Sequence, residues 1–183
     1  MAPKLGAAVA GLRPCKRYIA THNGDGKSVY AEAPEQVFSG AMARSYSINS
    51  VPAVLEDDVD VKAYKAETGV TSYRTPGIVP PQPGANLVVV DLAPGAQSLM
   101  HRTVSIDFSI CVIGEIDHEL DGGEKVRLYP GDHIVQRGTM HRWSNPTDKP
   151  ARFVACAIPC VPFDIAGQQL KEVHLPNKPK SKL

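Results

Sequence analysis

The run MHRTVSIDF, residues 100–108, sets His101, Thr103, Ser105 and Asp107 at alternate positions. In an extended strand these four side chains share one face, while Met100, Arg102, Val104, Ile106 and Phe108 take the other. A buried face this polar needs partners, either ordered water or a ligand. Further on, RGTMHRWSN supplies another histidine, His141. Residues of these types serve three ends. Imidazole and carboxylate hold transition metals. An imidazole that titrates near neutrality takes and gives protons without a metal. Or the same groups fill a polar lumen and satisfy one another.

Arginines bear on the substrate, because a guanidinium fork suits a carboxylate. Arg137 leads the turn before His141, Arg74 opens a rigid connector, and Arg102 and Arg142 flank the two histidines. Arg137, in the tight QRGT turn, is the preferred carboxylate partner and Arg74 the next. The lone tryptophan, Trp143, is a candidate for stacking on a substrate ring. Ser105 is a candidate hydrogen-bonding group. His118 precedes a hairpin turn and is expected near solvent, and His133 and His22 stand outside any motif. Cys15, Cys111, Cys156 and Cys160 have no CxxC spacing and are expected as reduced thiols.

The elements that must position these groups are strands. NLVVVDLAPG, SIDFSICVIG, EIDHELDGGEKVRLYPGD and ARFVACAIPC are short apolar runs cut by Gly and Pro-Gly turns. At least six strands are expected over residues 86–163, as in an antiparallel sandwich or jelly roll. Nothing between them is long enough for the crossover helices of a parallel sheet. Upstream, YIATH and SVYAE flank an NGDGK turn, and DVKAYKAE makes a helical turn. TPGIVPPQPG is too proline-rich for a regular element. AGQQLKEVH is expected as a short C-terminal helix. The chain of 183 residues suits one domain. With 20 Lys plus Arg against 19 Asp plus Glu, it lacks the basic excess that draws nucleic acid or anionic membranes. No apolar run is long enough to span a bilayer.

The spacing of these residues resembles the cupin family. The first cupin patch, Gly, His-x-His, an acidic residue and Gly, corresponds to Gly95, His101, Thr103, Asp107 and Gly114, with Thr103 in place of the second histidine. The second patch corresponds to Gly138, His141 and Asn145, with Gln136 in place of a proline. The resemblance implies an all-β fold, a double-stranded β-helix or jelly-roll barrel. An N-terminal strand-containing extension would span residues 1–84, the barrel core 85–165, and the short helix and tail 166–183. It brings His101 and His141 to one site beside Asp107. That set has the composition of a two-histidine, one-carboxylate centre for a divalent metal (Zn, Fe, Mn or Ni). Thr103 is a weak ligand and Asp is one methylene shorter than the usual Glu, so metal-free chemistry stands beside it. There His101 and His141 form an acid–base pair, Asp107 orients a ring, and Thr103 holds a substrate oxygen.

The expected function is a lyase, a dehydratase or decarboxylase acting on a small carboxylate- or carbonyl-bearing metabolite of fungal-type secondary metabolism. The alternatives are a non-heme iron dioxygenase, an isomerase and a non-catalytic small-molecule-binding cupin. The family also implies a homodimer. The closing Ser181-Lys182-Leu183 matches the address read by the peroxisomal import receptor. It gives a peroxisomal expectation if it is the natural terminus, and a cytoplasmic one otherwise.

Overall fold

The computed structural model describes residues 4–80 and 83–176; the Ser-Lys-Leu sequence lies outside them. In the first half, β1 (Lys4–Leu5) is followed by the hairpin β2 (Ile19–His22) and β3 (Ser28–Ala31). Asn23 closes that hairpin, its side-chain oxygen accepting the amides of Asp25 at 3.1 Å and Lys27 at 2.9 Å. Next come β4 (Val37–Ser39), β5 (Met42–Ile48) and the helix α1 (Val59–Lys65), where DVKAYKAE predicts a helical turn.

The second half carries β6 (Ala85–Leu92), β7 (Met100–Arg102), β8 (Ser105–Ile113), β9 (Ile116–Leu120), β10 (Lys125–Leu128), β11 (His133–Arg137), β12 (His141–Ser144) and β13 (Ala151–Pro159). All their ladders are antiparallel. A seven-stranded sheet runs β1-β4-β5-β6-β13-β8-β11; a second begins β10-β9-β12-β7. The N-terminal strands extend the large sheet, because β5 pairs with β6 across the expected boundary at residue 84. The architecture is all-β and jelly-roll-like. Among the described residues the two ladders stay separate, so the closed barrel expected from sequence is not formed by continuous pairing.

The core lies between the sheets: Val88, Leu92, Cys111, Ile116, Leu128, Trp143, Phe153 and Ala155 pack together. Gly114, at φ +76°, makes the turn from β8 to β9 where a Cβ would meet the Ala151 Cβ and the Pro150 carbonyl, each at 2.9 Å. Only glycine fits there. Asn145, the end of the second patch, is buried and braces a turn, donating to the carbonyls of Leu92 at 3.2 Å and Lys149 at 2.6 Å.

The expected C-terminal helix is not formed. Residues 164–175 instead make the small hairpin β14 (Asp164–Ile165) and β15 (Gln168–Gln169), then β16 (Val173–Leu175), which joins the edge of β7. Ala166 and Gly167, at φ +48° and +78°, supply the two positive-φ residues of a tight turn. The segment finds its backbone partners across a sheet edge rather than within itself.

One buried ion pair ties the N-terminal segment to the sheet. Arg152 donates to Asp91 at 2.6 and 3.0 Å. The same carboxylate accepts the Ala8 amide at 2.7 Å, and Arg152 donates to the Arg13 carbonyl at 3.0 Å.

Candidate active site

Strand register assembles the site. His101 of β7 lies directly opposite His141 of β12, so both side chains project from one face of the smaller sheet. Their ring centroids are 4.3 Å apart. Each ring is held from behind by a main-chain carbonyl. His101 Nδ1 lies 2.8 Å from the Leu99 oxygen and His141 Nδ1 2.9 Å from the Thr139 oxygen. A carbonyl only accepts, so both neutral rings carry their proton on Nδ1 and keep a lone pair on Nε2. Both line a cavity of about 460 Å³ with Thr103, Asp107, Ser109 and Trp143, walled by Val88, Val90, Phe153 and Ala155. Lys4, Ala8 and Val9 of the N-terminal segment also face this space.

Thr103, Ser105 and Asp107 come together as the alternation of MHRTVSIDF predicts. Ser105 donates to Thr103 at 2.8 Å, and Thr103 reaches Asp107 at 3.5 Å. Asp107 Oδ1 is buried without a partner. A buried acceptor in that state calls for a donor from a ligand or a proton of its own. Burial raises the Asp107 pKa to about 6, against hydrogen bonds from Ser105 and Thr103 that pull it down. Burial also pushes His141 down to about 4. Its bond to Thr139 opposes this, and His101 and His118 add to it. Burial lowers His101 too, against the Leu99 bond. The two imidazoles are therefore neutral at pH 7 and available as bases. The carbonyls orient them; Asp107, bonded within its own strand region, does not take that role.

The metal expectation meets a specific difficulty. Among the described residues no group of three or more His, Cys, Asp or Glu side chains is gathered so as to hold a metal ion. His101 and His141 converge, but Asp107 is not gathered with them.

The arginines depart further from expectation. Arg137 is exposed, because Gln136 takes the inward position beside it on β11. It lies instead at a second, larger cavity of about 1150 Å³, along with Lys125 and Phe163. Arg74 is on the surface, ion-paired with Glu67 and over the Tyr73 ring. Arg142 pairs with Glu119 at 2.6 Å. Trp143 is buried as a cavity wall, stacked on Phe153 at 4.6 Å between centroids.

Two residues escaped the reading of the sequence. His118, expected near water, is only 4% exposed, its ring 5.4 Å from His141 and 4.6 Å from Trp143. The alternation of Ile116, His118 and Leu120 along β9 is the signal that puts His118 on an inward face. His174 of β16 lies opposite His101 in register, its ring parallel at 5.7 Å. No local pattern marks it, because the pairing joins distant parts of the chain.

The model of the Cupin domain matches residues 88–157. Oryzines biosynthesis cluster protein J of Aspergillus oryzae is 35% identical over 165 residues, covering 85% of this chain and 89% of that protein. The chain belongs to the cupin family. This cupin is a single-domain relative of proteins from fungal secondary-metabolite clusters. It is 33% identical to the cupin-domain-containing oxidoreductase srdB of Neurospora crassa, over 87% of this chain and 81% of that one. A sugar phosphate isomerase structure from Silicibacter pomeroyi overlaps 42% of this cupin and 51% of its own chain, at 28% identity and a TM-score of 0.38. No described helix is long and apolar enough to cross a membrane.

Proposed function

We propose that this cupin is an enzyme that moves protons on a small oxygenated metabolite, and that its reaction is an isomerisation. One of the paired imidazoles removes a proton from carbon beside a carbonyl, and the enolate is reprotonated at another position. The observation that carries this is the pair of neutral rings, each held at Nδ1 by a carbonyl, with Nε2 left unprotonated and both lining one cavity. The cavity volume suits a small molecule. Thr103 and the unpartnered Asp107 oxygen are there to hydrogen-bond substrate oxygens. Dehydration begins with the same step and needs in addition a proton for the departing hydroxyl, for which Asp107, on the same cavity and with its pKa raised to about 6, is a candidate acid.

A second reading is oxidation. The oxidoreductase name of a relative matched over most of the chain supports it. There the deprotonated carbon gives its electron pair to dioxygen, forming a carbon–oxygen bond, and the resulting peroxide takes the proton to become a hydroperoxide.

The test is proton exchange. The protein is incubated in deuterium oxide with a panel of small 1,3-dicarbonyl and hydroxyketone compounds, and carbon-bound hydrogen is followed by NMR. Exchange is expected to fall by about 10²- to 10⁴-fold in His101→Ala and His141→Ala. Oxygen uptake marks oxidation, and loss of water from the product marks dehydration. Exchange indifferent to both substitutions sinks the proton-transfer reading and favours a binding protein. Elemental analysis after chelator-free purification addresses the metal separately. One equivalent of metal, lost in His101→Ala, returns the site to metal chemistry.

A further inference from the structure

Gln136 occupies the position where the cupin pattern has a proline, and its side chain is buried. Its amide nitrogen lies 2.9 Å from the Thr139 carbonyl and also bonds the Thr139 hydroxyl. A carbonyl accepts only, so the nitrogen must be on that side and Oε1 must face the other way. Oε1 lies 2.9 Å from His118 Nε2. An amide oxygen also accepts only, so neutral His118 carries its proton on Nε2 and its lone pair on Nδ1. The Thr139 carbonyl that anchors Gln136 is the one that receives His141 Nδ1–H. One amide and one carbonyl thus hold two imidazoles in opposite tautomers. A proline at 136 could not hold His118.

His118 is the third imidazole of the cluster, and it comes from β9 rather than from position 103, where the family pattern has its second histidine. It lines the larger cavity, on the other side of the cluster from the smaller one, with Ser105, Gln136 and Thr139 beside it. The imidazole cluster therefore separates two chambers. We infer that His118 belongs to the reactive site as a further base, and that Gln136 is the positioning residue that fixes the tautomer of His118. The role in turnover rests on the proton-transfer reading; the tautomers do not.

Long-range ¹H–¹⁵N NMR of the full chain labelled at histidine, at pH 7.5, reads the tautomers directly and without substrate. The wild type is expected to show His118 protonated at Nε2 and His141 at Nδ1. Gln136→Leu removes both polar contacts while keeping bulk, and should turn His118 into a tautomer mixture. Gln136→Glu keeps the acceptor and should preserve the Nε2–H form. In the deuterium-exchange assay, Gln136→Leu and His118→Phe are each expected to lose roughly 10- to 100-fold in rate, with a smaller change in KM. His118 protonated at Nδ1 in the wild type overturns the proposal even if no variant folds. So does a Gln136→Leu protein that keeps His118 wholly in the Nε2–H form, or full exchange in a folded His118→Phe. Correct tautomers in a wild type that exchanges no carbon acid uphold the positioning role and overturn the proton-transfer reading instead.

Discussion

Asp107 and His141 oppose each other as the pH falls. The folded-state pKa of His141 is about 4 against an ordinary 6.5. The unfolded chain therefore binds that proton first, and stability present above pH 6.5 is lost as the pH falls towards 4. His101 and His118 are shifted the same way. Asp107 is raised from 3.8 to about 6. The folded state binds its proton first, so ionisation costs stability as the pH rises from 3.8 through 6. That cost is on the order of 2–3 kcal/mol. Asp107→Asn should therefore stabilise the protein above pH 6, and its stability should fall more steeply on acidification than that of the wild type. His141→Gln should flatten the acid limb. Urea unfolding between pH 4 and 8 measures both. At this scale the sequence was legible where spacing recurs: His101, Thr103, Asp107 and His141 stand out in the two patches. It did not tell which way Arg137 faces, because a one-residue step along a strand reverses the face. That step puts Gln136 inside and Arg137 out. The charge of Arg74 is legible in the sequence, but its surface partner Glu67, which competes for it, is not.

The element that sequence misjudged most is the C-terminal segment. Leu170 is buried against Gly138, whose φ is +62° and whose missing Cβ would lie 3.0 Å from the leucine methyl. Arg102 donates to the Lys171 carbonyl at 3.1 Å, and β16 then pairs with β7. Leu170 thus secures the strand that carries His174 to the outer face of the His101 ring. Leu170→Ala should destabilise the protein by about 2–4 kcal/mol, read by thermal melting. It should also speed amide hydrogen exchange in residues 100–102 and 173–175 ahead of β6 and β13. Uniform acceleration throughout both sheets would show that the segment does not open by itself. The strands over residues 86–163 were legible from turns and apolar runs. β16 was not, since a lone leucine and a three-residue strand leave no period to read.

For the molecule as a whole, the Asp91–Arg152 pair fastens the N-terminal segment, three of whose residues face the smaller cavity. Asp91→Ala leaves a buried guanidinium unpaired and should cost about 3–5 kcal/mol, measurable by chemical denaturation. The outer face of the large sheet carries exposed Phe108, Ile110, Val112 and Val135. The expected homodimer would cover such a face. If it does, Phe108→Asp should convert a sedimenting dimer to monomer with the cavity untouched. A dimer that survives the change is held elsewhere.

Leu99 and Thr139 act on the two histidines through their main-chain oxygens. Any amino acid supplies that atom, so both positions can drift among relatives while the chemistry they support stays constant. Catalogues of invariant side chains will pass over them, and side-chain mutagenesis will report them as dispensable. Replacing the peptide link by an ester, which weakens the carbonyl as an acceptor, is the kind of change that would expose their contribution.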